Sequence, residues 1–64
     1  MNKQTNVWYK CRTARVISNE NKVLLDILNA DKYKVENGWL FIKDYYNQIH
    51  HFPASSVKEF ISKL

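Results

Sequence analysis

Hydrophobic and polar positions along the chain form short alternating runs, separated by clusters of turn-forming residues. Residues 7–17 (VWYKCRTARVI) are rich in β-branched and aromatic residues and lack glycine and proline, which predicts a long first strand. The polar segment SNEN at 18–21 predicts a turn. The run at 22–28 (KVLLDIL) is too short for its periodicity to separate strand from helix. We favour a strand, because SNEN has the length of a hairpin loop; a helix from about 19 to 32 is the alternative.

The strongest hairpin signal lies in the middle of the chain. Asn37 and Gly38 can both adopt positive φ, which a tight two-residue turn requires. Turn-forming residues also occur at 29–32 (NADK) and 44–48 (DYYNQ). The segments next to these turns are apolar and aromatic, and they predict strands at 33–35, 39–43 and 49–52.

The C-terminal segment has the spacing of an amphipathic helix. Pro53 cannot donate a ladder hydrogen bond and is expected to end the sheet. Ser56 and Glu59 have the spacing of a capping box. The apolar residues recur at i, i+3, i+4 and i+7, and they are Val57, Phe60, Ile61 and Leu64. We therefore predict a helix over 56–64, which is too short to be stable unless its apolar stripe packs on the sheet.

These elements predict a single small domain of the α+β class, covering residues 1–64. Residues 7–52 are expected to form a curled antiparallel β-meander of four or five strands, which could close into a barrel. The C-terminal helix packs on this sheet. Residues 1–6 are expected to be flexible.

Size and composition favour a binding module over an enzyme. A chain of 64 residues cannot hold both an independent core and a deep pocket. The single cysteine, Cys11, excludes an intramolecular disulfide and favours a reducing compartment. The sequence shows neither the apolar region of a signal peptide nor a membrane-spanning run, so we expect a cytoplasmic protein with no membrane partner. Abundant Lys, Asn, Ile and Tyr suggest an AT-rich genome, such as that of a phage or another mobile element.

Aromatic residues are concentrated between Gly38 and Pro53. Small domains need large side chains to build a core, so Trp39, Phe41 and Phe52 are expected to be mainly buried. Two tyrosines differ, because they lie in a predicted turn. Tyr45 and Tyr46 are therefore the candidate contacts for a protein partner.

No residue pattern in the sequence indicates catalysis, a metal or a cofactor. The adjacent histidines His50 and His51 point to opposite faces of a strand, so we expect one in solvent and one packed or hydrogen-bonded. Cys11 has basic neighbours, but nothing nominates the base and oxyanion site that a catalytic cysteine needs, so we interpret it as a buried strand residue. No glycine-rich phosphate loop or hydrolase motif occurs.

The excess positive charge lies entirely in the first segment. The net charge is +4, and residues 18–64 contain equal numbers of lysines and acids. An exposed Trp8 beside Lys10 and Arg12 on one strand face, with Arg15 on the other, is a candidate surface for single-stranded nucleic acid. The alternative is an edge strand that positive charge protects from aggregation.

The sequence thus supports two functional hypotheses. The first is a small non-enzymatic protein-interaction module, a regulator or inhibitor of a larger protein. The second is a nucleic-acid-binding protein that uses its basic, aromatic N-terminal strand. A homodimer formed through the first strand is compatible with both.

Overall fold

A computed structural model describes residues 7–64, which form two antiparallel β-sheets and no α-helix. The strands are β1 (Tyr9–Lys10), β2 (Thr13–Ser18), β3 (Val23–Ile27), β4 (Ala30–Glu36), β5 (Trp39–Asp44), β6 (Ile49–Pro53) and β7 (Val57–Lys63). A short 3₁₀ turn at Ala54–Ser56 precedes the last strand. The flexibility expected for residues 1–6 concerns a segment outside the described residues.

The chain passes between the two sheets at sharp corners. One sheet has the strand order β1-β4-β5-β6 and the other has the order β3-β2-β7. The predicted long first strand is therefore wrong, because the chain leaves one sheet and enters the other at Cys11–Arg12. Backbone hydrogen bonds fix this corner: the Arg12 N–H donates to the Lys63 carbonyl (2.6 Å), and the Ala30 N–H donates to the Arg12 carbonyl (3.0 Å).

Both sheets contribute inward-facing side chains to one core. Its buried apolar members are Cys11, Ala14, Val16, Ala30, Leu40 and Ile42. Partly buried apolar side chains surround them, namely Leu25, Ile27, Tyr33, Phe52, Val57 and Phe60. The Tyr33 and Phe60 rings meet edge to face at 4.9 Å, which joins β4 of one sheet to β7 of the other. Burial of these side chains provides the main stabilisation, since the fold has no disulfide.

The predicted C-terminal helix is wrong, and with it the α+β class: the described residues form an all-β fold. Residues 57–63 are strand β7, paired along its length with β2. A β-bulge explains the misleading spacing. Ile17 pairs with Glu59 and Ser18 with Val57, so Lys58 is an extra residue. The bulge lets Val57 and Phe60, three positions apart, both pack on the core, although a regular strand would place them on opposite faces.

The other two members of the predicted helical stripe do not pack with Val57 and Phe60. Ile61 pairs with Arg15 and lies on the opposite face of β7 from Phe60. Leu64 follows the strand and is 86% exposed. The 3₁₀ turn that contains Ser56 has no side-chain cap.

Most of the predicted turns are confirmed. Asn37 (φ 52°) and Gly38 (φ 79°) both have positive φ and connect β4 to β5. The SNEN and DYYNQ segments form the β2–β3 and β5–β6 turns, with Asn21 and Asn47 in the left-handed region. The segment left open at 22–28 contains a strand, as favoured. The turn predicted at 29–32 is wrong, because β4 already begins at Ala30.

Candidate functional site

The four-stranded sheet presents one face to the core and the other, here called the outer face, away from it. Strand pairing and ring contacts determine which side chains share this face. Its members are Trp8, Lys10, Lys32, Lys34, Glu36, Trp39, Phe41, Lys43, Ile49, His51 and Pro53. The intervening residues of β5, Leu40 and Ile42, point into the core. The outer face thus combines aromatic rings with an excess of lysines.

Three lysines lie side by side across three adjacent strands. Lys10 of β1 pairs in register with Lys32 of β4, and Lys32 pairs with Lys43 of β5. We call these three residues the lysine row. Like charges directly opposite each other in a sheet destabilise it, by ~0.2–1 kcal/mol per pair. None of the three forms an ion pair within residues 7–64, so no acid of the described chain offsets this repulsion directly.

The next row across the outer face contains aromatic rings. The Lys34 ammonium lies 4.8 Å from the centre of the Trp8 ring and 5.4 Å from that of Phe41. The Lys32 ammonium is 5.6 Å from the Trp8 ring. Such contacts are attractive because the face of an aromatic ring carries negative potential. They orient the Trp8 ring on the outer face, beside the lysine row.

A second aromatic group lies at the opposite end of the outer face. The Trp39 and His51 rings are tilted with their centres 5.5 Å apart, and the His51 and Phe41 centres are 6.4 Å apart. Trp39 is 40% exposed. The prediction that Trp39 is mainly core is therefore wrong, because the register of β5 directs Leu40 and Ile42 inward and Trp39 and Phe41 outward. Phe52 does pack on the core.

One acidic side chain belongs to the outer face within residues 7–64. Glu36 forms a salt bridge with Lys34, whose Nζ lies 2.9 Å from Oε1 of Glu36. Lys34 is thereby tied to a carboxylate and to two rings. Within residues 7–64 no carboxylate forms an ion pair with the lysine row, so the unbalanced positive charge of the outer face lies at this end.

The basic residues predicted from the N-terminal segment do not form one surface. Trp8 and Lys10 lie on the outer face as expected of a shared strand face. Arg12 lies at the corner between the sheets and lines a cleft at the end of the molecule. Arg15 lies on the other sheet, with its Nη2 3.3 Å from Oδ2 of Asp26. The corner at Cys11–Arg12, which no glycine or proline marks, separates these residues.

Tyr45 and Tyr46 are both well exposed, at 65% and 76%. Asp44 builds the turn that carries them: its Oδ1 accepts hydrogen bonds from the N–H groups of Tyr46 (2.8 Å) and Gln48 (3.0 Å). The Tyr45 N–H donates to the Asn29 carbonyl (2.9 Å). These bonds hold the turn, so the two phenol rings project from a fixed backbone.

The two histidines lie on opposite faces of β6, as predicted. His50 is half-buried and contacts Asp44, with Nε2 and Oδ2 3.0 Å apart, whereas His51 is exposed on the outer face. Cys11 is buried, as predicted, although it lies at the corner and not in a strand. Burial, and then the nearby Asp31 charge, raises the pKa of the Cys11 thiol. No group of three or more potential metal ligands comes together in the described part of the chain.

Sequence patterns missed most of the outer face. Lys32, Lys34 and Lys43 belong to the part of the chain whose charges sum to zero, and they become neighbours of Lys10 only through strand pairing. A period-two alternation of lysine at 32 and 34 was the available signal, but the turn predicted at 29–32 concealed it.

Comparisons with protein-family models, with curated proteins and with solved structures give no match for this chain. Across residues 7–64, no helix has both the length and the apolar character needed to cross a membrane. The functional argument therefore depends on the geometry of the outer face.

Proposed function

We propose that this protein binds single-stranded nucleic acid on the outer face of its four-stranded sheet. The observation that carries the proposal is the lysine row, Lys10, Lys32 and Lys43, paired in register beside a row of aromatic rings. The three lysines have no ion-pair partner among residues 7–64, so their repulsion weakens the sheet, and an anionic ligand would relieve it. A phosphate backbone supplies the repeated negative charge that such a row of ammonium groups can neutralise.

The aromatic side chains favour a nucleic acid over other polyanions. Single strands expose base faces that stack on aromatic side chains, and such stacking contributes ~1–3 kcal/mol per base. Trp39 and His51 offer the more open platform, because Lys34 covers part of Trp8 and Phe41. The lysine row crosses three strands, which places its ends ~10 Å apart. We therefore assign phosphates to the lysine row and bases to the rings.

Fluorescence anisotropy of labelled single-stranded oligonucleotides, titrated at several salt concentrations, tests this proposal. The double variant K10Q/K43Q removes two charges from the lysine row. The matched control K22Q/K63Q removes two charges from the β2–β3 turn and from the end of β7. We expect the first variant to bind more weakly and its salt slope to fall by ~1.4, since each phosphate contact on a single strand contributes ~0.7. The control should retain the wild-type slope.

Trp39→Ala tests the stacking half of the proposal. Loss of one stacking platform should weaken binding to a single strand by about five- to a hundredfold, whereas Trp39→Phe should retain most of the affinity. The proposal would be refuted if K10Q/K43Q and K22Q/K63Q lost equal affinity for the oligonucleotide and Trp39→Ala lost none. That result would show only a general charge attraction.

A second candidate function is the recognition of a larger protein, as its regulator or inhibitor, through the β5–β6 turn. The observation that favours it is the exposure of Tyr45 and Tyr46 on a backbone that Asp44 fixes. Exposed aromatic residues on a rigid turn are typical protein contacts. In a pull-down from host lysate, a protein captured by the wild type and by K10Q/K43Q but lost with Tyr46→Ala would favour this function. Both candidates are non-enzymatic and fit the proposed cytoplasmic location.

A further inference from the structure

A cleft lies at the end of the molecule, just beyond the lysine row. It has a volume of about 200 Å³, and its lining residues are Lys10, Cys11, Arg12, Asp31, Tyr45 and Leu64. Lys10 belongs to both the lysine row and the cleft. Asp31 directly precedes Lys32, and Tyr45 follows Lys43 by two positions. A single-stranded nucleic acid bound along the lysine row would therefore reach this cleft at Lys10.

The charged side chains of the cleft are those of two cations, Lys10 and Arg12, and one carboxylate, Asp31. Lys10 and Arg12 form no ion pair within the described residues. Backbone hydrogen bonds with Lys63 and Ala30 hold Arg12 in place at the corner. Arg12 is exposed, so its guanidinium can bind a ligand. Asp31 opposes an anion. Cys11 adds no negative charge, because burial and Asp31 raise the pKa of its thiol.

We propose that the cleft binds a phosphate group of the single strand between Lys10 and Arg12, and that the Tyr45 ring stacks with the adjoining base. This inference rests on the proposed function, which it extends past the edge of the outer face. A guanidinium binds a phosphate through two parallel hydrogen bonds, and the nearby Lys10 adds a second positive charge. Asp31 lowers the affinity by repelling the phosphate.

Charge changes of opposite sign test the cleft in the anisotropy titration with a labelled single-stranded oligonucleotide. Arg12→Gln should weaken binding severalfold and lower the salt slope by ~0.7. Asp31→Asn should tighten binding, because it removes the opposing charge. Arg15→Gln is the matched control, since Arg15 lies on the other sheet beside Asp26, and it should leave the affinity unchanged. Thermal melts of all variants establish that they are folded.

The role of Tyr45 is tested separately. Tyr45→Ala should weaken binding, whereas Tyr45→Phe should retain the wild-type affinity because the ring is kept. Oligonucleotides with and without a 5′-terminal phosphate distinguish a chain end from an internal phosphate in the cleft. An Arg12→Gln effect confined to the phosphorylated oligonucleotide assigns a chain end.

The outcomes separate the cleft from the outer face. If Lys43→Gln and Trp39→Ala weaken binding but Arg12→Gln and Asp31→Asn both leave it unchanged, the nucleic-acid strand stays on the outer face and the cleft proposal is overturned. If the wild-type protein binds no oligonucleotide even at low salt, the proposed function fails and the cleft proposal fails with it.

Discussion

The Nε2 atom of His50 lies 3.0 Å from Oδ2 of Asp44, and this contact joins the two strands that flank the β5–β6 turn. The other carboxylate oxygen of Asp44 accepts hydrogen bonds from the N–H groups of Tyr46 and Gln48. The Asp44 side chain is buried, yet both of its oxygens have partners. One carboxylate thus fixes a hairpin, a histidine and the exposed Tyr45–Tyr46 pair.

We predict that Asp44→Asn weakens the fold at neutral pH and flattens its acid unfolding profile. The hydrogen bond from His50 is the main cause of the lowered pKa of Asp44, and the two backbone hydrogen bonds add to it. A carboxyl group whose pKa is lower in the folded protein stabilises the fold above its unfolded pKa of ~3.9. That stabilisation is lost as the pH falls through the lower pKa of the folded state. Urea unfolding, followed by Trp fluorescence between about pH 2 and pH 7, measures it.

His51→Gln is the matched control for this prediction, because His51 lies on the outer face and away from Asp44. Its acid profile should superimpose on that of the wild type, whereas His50→Gln should resemble Asp44→Asn in part. An Asp44→Asn profile parallel to that of the wild type at every pH would contradict the assigned role of the carboxylate.

The centre of the core is predicted to be sensitive to loss of volume. Ile42 is fully buried on β5, between the two sheets. Ile42→Ala should therefore cost ~2–5 kcal/mol of unfolding free energy, and Ile42→Val ~0.5–1.5 kcal/mol, since both changes remove buried methyl groups. Ile49→Ala is the control, because Ile49 is exposed on the outer face, and it should cost far less. Similar urea midpoints for Ile42→Val and Ile49→Ala, both well below that of the wild type, would place the core elsewhere.

The β4–β5 hairpin is predicted to depend on the backbone conformation of Gly38. Its φ is +79°, and an added Cβ would meet no atom within 4 Å. Gly38→Ala should therefore destabilise the protein by ~1–2 kcal/mol through backbone strain alone. Asn37→Gly changes the neighbouring left-handed residue without such strain and should be close to neutral. Thermal melts compare the two variants, and an unchanged melting temperature for Gly38→Ala would argue against this turn geometry.

Local chemistry in the sequence predicted the turns better than it predicted the sheets. Asn37-Gly38 specifies its hairpin because few residues tolerate positive φ, and that preference is independent of the rest of the fold. The helix predicted for the C-terminal segment was wrong because the structure of that segment does depend on the rest of the fold. Its apolar spacing at Val57 and Phe60 results from a bulge opposite β2, and a bulge depends on a strand that is distant in sequence.

The outer face was predictable only in part. Trp8 and Lys10 are two positions apart in the sequence, so a shared strand face could be anticipated. Lys32 and Lys43 join Lys10 through the register of β4 with β1 and β5, which no local pattern encodes. The exposure of Trp39 likewise follows from the inward direction of Leu40 and Ile42. Counting charges along the chain therefore identified a basic N-terminal segment. It did not identify the basic surface, because lysines from the part of the chain with no net charge complete that surface.

We predict that Lys43→Gln stabilises the free protein while it weakens binding to a single strand. The substitution removes one like-charge pair, Lys32 with Lys43, and should raise the unfolding free energy by up to ~1 kcal/mol. Added salt should stabilise the wild type more than the variant, because salt screens the repulsion that the variant lacks. Lys22→Gln, in the β2–β3 turn and without a lysine opposite, is the control and should change neither property. Urea unfolding at low and moderate salt, paired with the anisotropy titration, measures both. A Lys43→Gln variant that is less stable and binds as the wild type does would show that Lys43 supports the sheet, not a ligand.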